Sequence, residues 1–220
     1  MKTDFQMVKP EEIEKQSFAI ITRELGQRRF DPENEAVIKR AIHATADFEY
    51  ADNLYFSSGV VKKAAAALRG GAHILTDTQM ALSGINKPLL QTFGGQAHCF
   101  MAEESVAEEA KKRGITRAMV SMERGAELQV PLLIAIGNAP TALVRLYQLI
   151  GEGKIRPELV IGVPVGFVNV VEAKELIMTA GVPYIVARGR KGGSNVAAAI
   201  CNALLLIAKK DEENGETDER

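Results

Sequence analysis

The sequence has few of the residues that mark secreted or metal-binding proteins. Its 220 residues include two cysteines, three histidines and no tryptophan, and aromatic residues make up 5% of the chain. Cys99 and Cys201 lie in separate apolar runs, so they suggest neither a disulfide framework nor a metal-ligand spacing. We therefore expect two small buried side chains and no metal held by the protein.

Long hydrophobic runs and an excess of charge are also missing. The longest apolar run, residues 196–208, is interrupted by Asn202 and is too short to span a bilayer. The first residues lack the apolar segment of a signal peptide. The net charge is −1, so no overall field attracts nucleic acid or a membrane surface. These features predict a cytoplasmic protein that binds neither nucleic acid nor membrane, with local basic groups for any anionic ligand.

Helical patterns begin near the N-terminus. Apolar residues recur at helical spacing, and Pro32 follows the N-cap residue Asp31. Ser57 is predicted to cap a third helix, and a capping box at Ser105 is predicted to open a later one. The predicted helices cover residues 10–25, 32–47, 57–68, 105–113, 140–150, 168–180 and 194–209.

Short apolar runs alternate with helices in the rest of the chain. This alternation is typical of a mostly parallel open sheet with helices on both faces. We predict a single α/β domain over residues 1–208, with N-terminal helices before the sheet, and a polar, disordered tail over residues 209–220. The predicted strands cover residues 73–76, 97–101, 118–122, 132–136, 159–163 and 184–187.

His43 has the most suggestive neighbours of the three histidines. Arg40 lies three residues before it and Asp47 four residues after it, spacings that place side chains on one face of a helix. A carboxylate one turn away can select the tautomer of an imidazole or keep it protonated. Spacing alone still favours an ordinary half-buried helix histidine with solvated neighbours.

The segment 188–194 is the best candidate for an anion site. Arg188, Arg190 and Lys191 precede two glycines, and Ser194 opens the final predicted helix. A helix N-terminus with nearby cations binds carboxylate or phosphate, and the motif does not distinguish the two. It is neither a Walker loop nor a dinucleotide fingerprint. The alternative is a basic turn that only caps the helix.

Two further polar residues follow predicted strands, where open parallel sheets bind their ligands. Asp77 is a candidate acid, an anchor for an arginine, or a helix cap. Asn138, two residues before Pro140, either binds ligand or makes the turn. We therefore treat both as secondary candidates for the site.

Five segments form an ordered set. They read Ile-His-Ala-Thr-Ala-Asp-Phe at 42–48, Asp-Thr-Gln-Met at 77–80 with Gly-Ile at 84–85, Gly-Asn-Ala-Pro-Thr-Ala-Leu at 137–143, Gly-Val-Pro-Val-Gly-Phe-Val at 162–168, and Arg-Gly-Arg-Lys-Gly-Gly-Ser at 188–194. In this order they resemble the precorrin-8X methylmutases, a family of corrin ring biosynthesis that includes the cobalt-precorrin-8 methylmutases. Ala173 departs from the serine expected there, in a predicted helix away from these segments.

The resemblance implies an isomerase that moves a methyl group from C11 to C12 of a precorrin-8-type macrocycle, giving hydrogenobyrinate or cobyrinate. It implies no cofactor, a tetrapyrrole substrate and a homodimer with the site near the interface. His43 is the expected catalytic residue, as a proton donor to the ring, and Ser17 matches a serine that touches substrate. The expected substrate-binding residues are Ser17, Arg40, Asp77, Asn138, Arg188, Arg190, Lys191 and Ser194, with Met80, Val165 and Phe167 as apolar wall.

Two other functions stay open at this point. A phosphate- or nucleotide-binding protein would use the 188–194 segment and would be stabilised by nucleotide, but it leaves His43 and Ser17 unexplained. A non-catalytic corrinoid carrier would bind without turnover, and His43 would be dispensable. Fold class does not separate these functions, because one fold hosts many of them.

Overall fold

Six strands form one sheet in the computed structural model, which describes residues 9–218 and, within them, all side chains except those of Glu11 and 215–218. The strands are Leu54–Phe56 (β1), His73–Thr76 (β2), Ala97–His98 (β3), Leu132–Ile136 (β4), Leu159–Gly162 (β5) and Tyr184–Ala187 (β6). Their order in the sheet is β1-β6-β5-β4-β2-β3. The edge strand β1 runs antiparallel to β6, and the other neighbours are parallel.

Helices surround this sheet and connect its parallel strands. Across the described residues they are Pro10–Leu25 (α1), Pro32–Thr45 (α2), Tyr50–Asn53 (α3), Val60–Arg69 (α4), Gln79–Gly84 (α5), Lys87–Thr92 (α6), Glu104–Arg113 (α7), Arg117–Glu127 (α8), Pro140–Gly151 (α9), Val170–Met178 (α10) and Ser194–Asp218 (α11). None of these helices is long and apolar enough to cross a membrane.

The core lies on both faces of the sheet, as predicted. Successive side chains of a strand point to opposite faces, and β4 shows this directly. Leu133 packs in a cluster with residues of α2, α4 and α11, whereas Ile134 packs in a second cluster with residues of α8, α9 and α10. The predicted single α/β domain with a mostly parallel sheet is confirmed.

The predicted strands differ from the observed ones in four places. β2, β4 and β6 have the predicted bounds, and β5 is one residue shorter. The predicted strand over 118–122 is wrong: these residues belong to α8, whose first turn is capped by the Thr116 side chain. β3 ends at His98 rather than at 101, and the short edge strand β1 was not predicted. An apolar run of five residues is too short to separate a strand from a buried helix.

Two of the predicted helix caps are also wrong. Ser57 does not cap α4, which begins after Gly59. The Oγ of Ser57 instead accepts a hydrogen bond from the Tyr184 amide at 3.0 Å. Ser105 lies inside α7, and that helix has no side-chain cap. In contrast, Asp31 caps α2 by accepting a hydrogen bond from the Glu33 amide. The capping patterns therefore predicted that a helix is present more reliably than they predicted the residue at which it begins.

The final helix extends past its predicted end at residue 209. α11 continues to Asp218, and an ion pair of 3.0 Å between Arg69 and Asp211 ties its polar half to α4. Lysine and glutamate are good helix formers, so the helix does not stop where its buried face stops. Residues 210–218 are therefore helical, and residues 219 and 220 of the predicted disordered tail lie outside the described residues.

Candidate functional site

Four of the five family-like segments meet at the carboxyl edge of the sheet. They follow β2, β4, β5 and β6, and they contact one another closely. The side chains of Thr78 and Ser194 share a hydrogen bond of 2.8 Å, and a Cβ on Gly137 would lie 2.7 Å from the Cα of Ser194. A Cβ on Gly192 would lie 2.1 Å from the carbonyl oxygen of Val163. Glycine at both positions allows this close approach.

The fifth segment, around His43, reaches the same edge through the end of α2. The Asn195 side chain donates a hydrogen bond to the carbonyl oxygen of Ala44 at 3.3 Å. The Lys191 ammonium lies 2.6 Å from the Asp47 carboxylate. The fold therefore brings the predicted catalytic histidine next to the basic 188–194 segment, which is about 150 residues away in the chain.

His43 lies at the mouth of a cleft between α1 and α2. Its ring is exposed and stacks on the ring of Phe18, with centroids 5.2 Å apart and an interplanar angle of 20°. The cleft holds about 290 Å³ and is lined by both Ser17 and His43. Within residues 9–218, His43 makes no hydrogen bond, so both of its nitrogens are free to meet a ligand. Ser17 Oγ donates to the carbonyl oxygen of Ile13 at 2.9 Å.

The predicted pairing of His43 with Asp47 is wrong. α2 ends at Thr45, and Ala46 adopts a left-handed conformation with φ of 54°, so Asp47 leaves the helix face that carries His43. Asp47 instead accepts from Lys191 at 2.6 Å. This hydrogen bond lowers the pKa of Asp47. The carboxylate therefore connects two segments of the site rather than orienting the imidazole.

Arg40 faces a different groove from His43. Its guanidinium forms an ion pair with Glu14 and lies 4.7 Å above the centroid of the Phe18 ring. It lines an apolar groove of about 420 Å³ between α2 and α11. The Phe18 ring thus contacts both predicted residues, while the structure does not place Arg40 in the histidine cleft.

Asp77 anchors the segment that precedes α9. Its carboxylate is fully buried and accepts hydrogen bonds from the amides of Gly137, Asn138 and Ala139 at 2.7–2.9 Å. Burial raises its pKa, and the three amide donors oppose that effect. Both carboxylate oxygens of Asp77 therefore accept hydrogen bonds from backbone amides. Asn138 itself is exposed at this edge of the sheet.

The three basic residues after β6 have different partners. Arg188 makes a two-point ion pair with Glu175, and Lys191 contacts both Asp47 and Glu49 at 2.6 and 2.9 Å. Arg190 has no carboxylate partner within the described residues; its guanidinium lies 5.5 Å from the centroid of the Phe167 ring. Arg190 is therefore the least engaged of the three cations.

The sequence interpretation missed Lys174. This lysine lies on the buried face of α10, and its side chain has no exposed surface. Its ammonium donates to the carbonyl oxygens of Gly189 at 2.9 Å and Lys191 at 2.8 Å. Burial lowers its pKa from 10.5 to about 8. A signal was present, because a lysine one turn from the buried positions Val170 and Ile177 breaks the apolar pattern of that face.

Large apolar side chains are exposed at the same edge. Met80 at the start of α5 is 70% exposed, and Phe167 before α10 is 83% exposed, with Val165 and Val168 beside it in the chain. Exposed apolar patches on a protein surface mark binding sites. The residues predicted as apolar wall are thus available to a ligand.

Comparison with known proteins agrees with this geometry. The precorrin-8X methylmutase family profile matches residues 12–207. A cobalt-precorrin-8 methylmutase of Salmonella typhimurium is 48% identical over 89% of this chain and 94% of its own length. A cobalt-precorrin-8 methylmutase of Priestia megaterium is 41% identical over 94% of this chain and 93% of its own length. The crystal structure of a Thermus thermophilus precorrin-8X methylmutase superposes with a TM-score of 0.84 at 40% identity, covering 91% of this chain and 98% of that one. The chain therefore belongs to the precorrin-8X methylmutase family.

Proposed function

We propose that the carboxyl edge of the sheet binds a precorrin-8-type macrocycle and that the protein moves the C11 methyl group of this substrate to C12, in cobalamin biosynthesis. The observation that carries the proposal is the position of His43. Its exposed imidazole has no hydrogen bond within the described residues, and the end of its helix contacts the basic segment through Lys191 and Asn195. Large apolar side chains are exposed on the segments that follow β2 and β5 at the same edge. A flat, carboxylate-bearing ring needs these three kinds of surface together.

An intramolecular methyl shift requires little covalent chemistry from the protein. The methyl group leaves one ring carbon and bonds to the next, so no group is passed to the enzyme. The protein has to hold one conformer of the ring and to polarise its conjugated system. In this proposal, the imidazolium of His43 donates a proton or a hydrogen bond to the ring. Stacking on Phe18 holds the plane of the imidazole.

The acetate and propionate arms of the substrate supply its negative charge. In this proposal Arg190, Lys191 and Ser194 bind these arms, with Ser17 and Asn138 at the border of the site. Arg40, Arg188 and Lys191 are paired with carboxylates in the free chain, so binding an arm requires an exchange of ion pairs. Exposed ion pairs contribute at most ~1 kcal/mol, so this exchange costs little.

We also propose that the active form is a cytoplasmic homodimer. The histidine cleft holds about 290 Å³, below the range of roughly 300–1,000 Å³ that encloses ordinary drug-sized ligands. A macrocycle with its arms is larger, so one chain leaves much of it uncovered. A second copy placed against the exposed apolar residues of this edge would complete the enclosure. Sedimentation showing a fully active monomer would contradict this part of the proposal.

Substitution of His43 tests the assignment. His43→Ala and His43→Asn are assayed for turnover with cobalt-loaded and metal-free precursor, and product binding is followed by visible absorption. Loss of a general acid lowers rates by about 10² or more, so turnover should collapse while product still binds. His73→Asn is the matched control, because His73 bonds to His98 and lies at the opposite end of β2. Full turnover in a folded His43 variant would refute the assignment, and binding without turnover by the unmodified chain would indicate a carrier.

A further inference from the structure

Lys174 is an unusual residue to find in the core. Among the largest fully buried side chains of the described residues, it is the only charged one. Within the described residues its ammonium has two carbonyl oxygens as acceptors and no carboxylate partner. Burying a charge without a counter-charge is unfavourable, and an apolar residue of similar volume is often as stable or more stable. Folding alone therefore gives no reason for a lysine at this position.

The two carbonyl groups that Lys174 binds belong to the basic segment of the site. In a planar trans peptide, the C=O and the following N–H point in opposite directions. When Lys174 draws the carbonyl oxygens of Gly189 and Lys191 inward, the amides of Arg190 and Gly192 point away from the core. Neither amide donates a hydrogen bond to any part of residues 9–218. Both are therefore free to donate to a ligand at this edge of the sheet.

We propose that Lys174 is a positioning residue that holds the 189–192 backbone in the conformation that binds a carboxylate arm of the substrate. The proposal rests on the substrate site described above. The effect extends further, because the Lys191 side chain contacts Asp47 at the end of α2. Lys174 therefore positions the segment that connects the anion-binding amides to the helix of His43, without touching the substrate itself.

The pH dependence of this contact follows from the surroundings of Lys174. α10 packs against α9 and β6, and the basic segment covers its ammonium. Burial is what lowers the pKa of Lys174, and none of the nearby charged groups shifts it. A neutral amine donates weaker hydrogen bonds than an ammonium. The segment should therefore be held less firmly at alkaline pH. The charged and titratable groups on these elements are Arg145, Tyr147, Glu172, Glu175, Tyr184, Arg188, Arg190 and Lys191.

Binding of hydrogenobyrinate and of cobyrinate, followed by absorption, tests the proposal. Lys174→Met should weaken binding at neutral pH by about tenfold or more for whichever of the two products the unmodified chain binds. The reason is that two carbonyl groups lose their hydrogen-bond donor. Lys174→Arg keeps a cation and should recover part of the loss. Ile177→Val, one turn along the same buried face of α10, is the control: it reduces packing but leaves the basic segment alone, so the dissociation constant should not change.

A pH series on the His43→Ala variant, in which Lys174 is unchanged, provides a second measurement. The dissociation constant should rise by about fivefold between pH 7 and 9.5, because charge assistance is lost. As an additional control, the double variant His43→Ala, Lys174→Met should bind product weakly, with a dissociation constant that does not change with pH.

The outcomes separate failure of this inference from failure of the site. If Arg190→Ala and Lys191→Ala weaken product binding but Lys174→Met does not, Lys174 is not a positioning residue. A flat pH series overturns the inference as well. If none of the three substitutions changes binding, the substrate site itself is misplaced.

Discussion

Lys174→Met should change how the free energy of unfolding depends on pH. The unfolded chain returns this lysine to its ordinary pKa of 10.5, whereas burial lowers it to about 8 in the folded chain. Below pH 8 the side chain is protonated in both states. Between pH 8 and 10.5 the unfolded state holds a proton that the folded state has released, so stability rises with pH through this range.

The two pKa values give the size of the effect. Integrating the linkage relation from pH 7 to pH 9.5 gives a gain of about 2 kcal/mol for the unmodified chain relative to a chain that cannot titrate at this position. Tyrosines and other lysines titrate in both proteins, so the difference between the two isolates Lys174. The same rise in pH that weakens product binding should therefore increase stability.

Urea unfolding of both proteins at pH 7, 8, 9 and 9.5 measures this difference. The free energies of the unmodified chain and of Lys174→Met should diverge in favour of the unmodified chain as pH rises. Parallel curves would mean that the ammonium is hydrated. In that case burial of the Lys174 ammonium would not cost stability, and its position would not require a functional explanation.

Three other substitutions test the local geometry. Asp77→Asn should destabilise the protein by about 3 kcal/mol in urea, since an amide nitrogen cannot accept from the backbone donors that Asp77 binds. Ser121→Ala should stabilise it by about 1 kcal/mol, because the Ser121 hydroxyl is buried and makes no hydrogen bond in the described part of the chain. Asp47→Asn should lower the melting temperature slightly at pH 7. That difference should shrink as pH falls below 3.8 and through the pKa of Asp47 in the folded chain, which the hydrogen bond from Lys191 lowers.

Patterns that depend on neighbours in the chain predicted much of the fold. The five buried residues of β4 and the Asp31-Pro32 start of α2 were identified from local composition. Such signals work because side-chain burial and helix capping involve residues a few positions apart. They failed at residues 118–122, where a run of five residues suits a buried helix as well as a strand.

The sequence proposed candidate residues for the site but not the contacts among them. The motif order implied that His43 and the 188–194 segment belong to one site, and the structure brings the end of the His43 helix into contact with that segment. The interpretation of Asp47 as a helix neighbour of His43 failed because the left-handed Ala46 ends the helix two residues before its predicted end. A helical spacing predicts contact only while the helix continues.

The sequence by itself determined the succession of strands and helices, the family and the identity of the candidate residues. Only the tertiary structure decided their partners: Lys191 with Asp47, Asp77 with the amides before α9, and the buried ammonium of Lys174 with the carbonyl groups of Gly189 and Lys191. Spacing along the chain carries information about neighbours within one element. Contacts between residues far apart depend on the order in which the strands join the sheet, and no local pattern encodes that order.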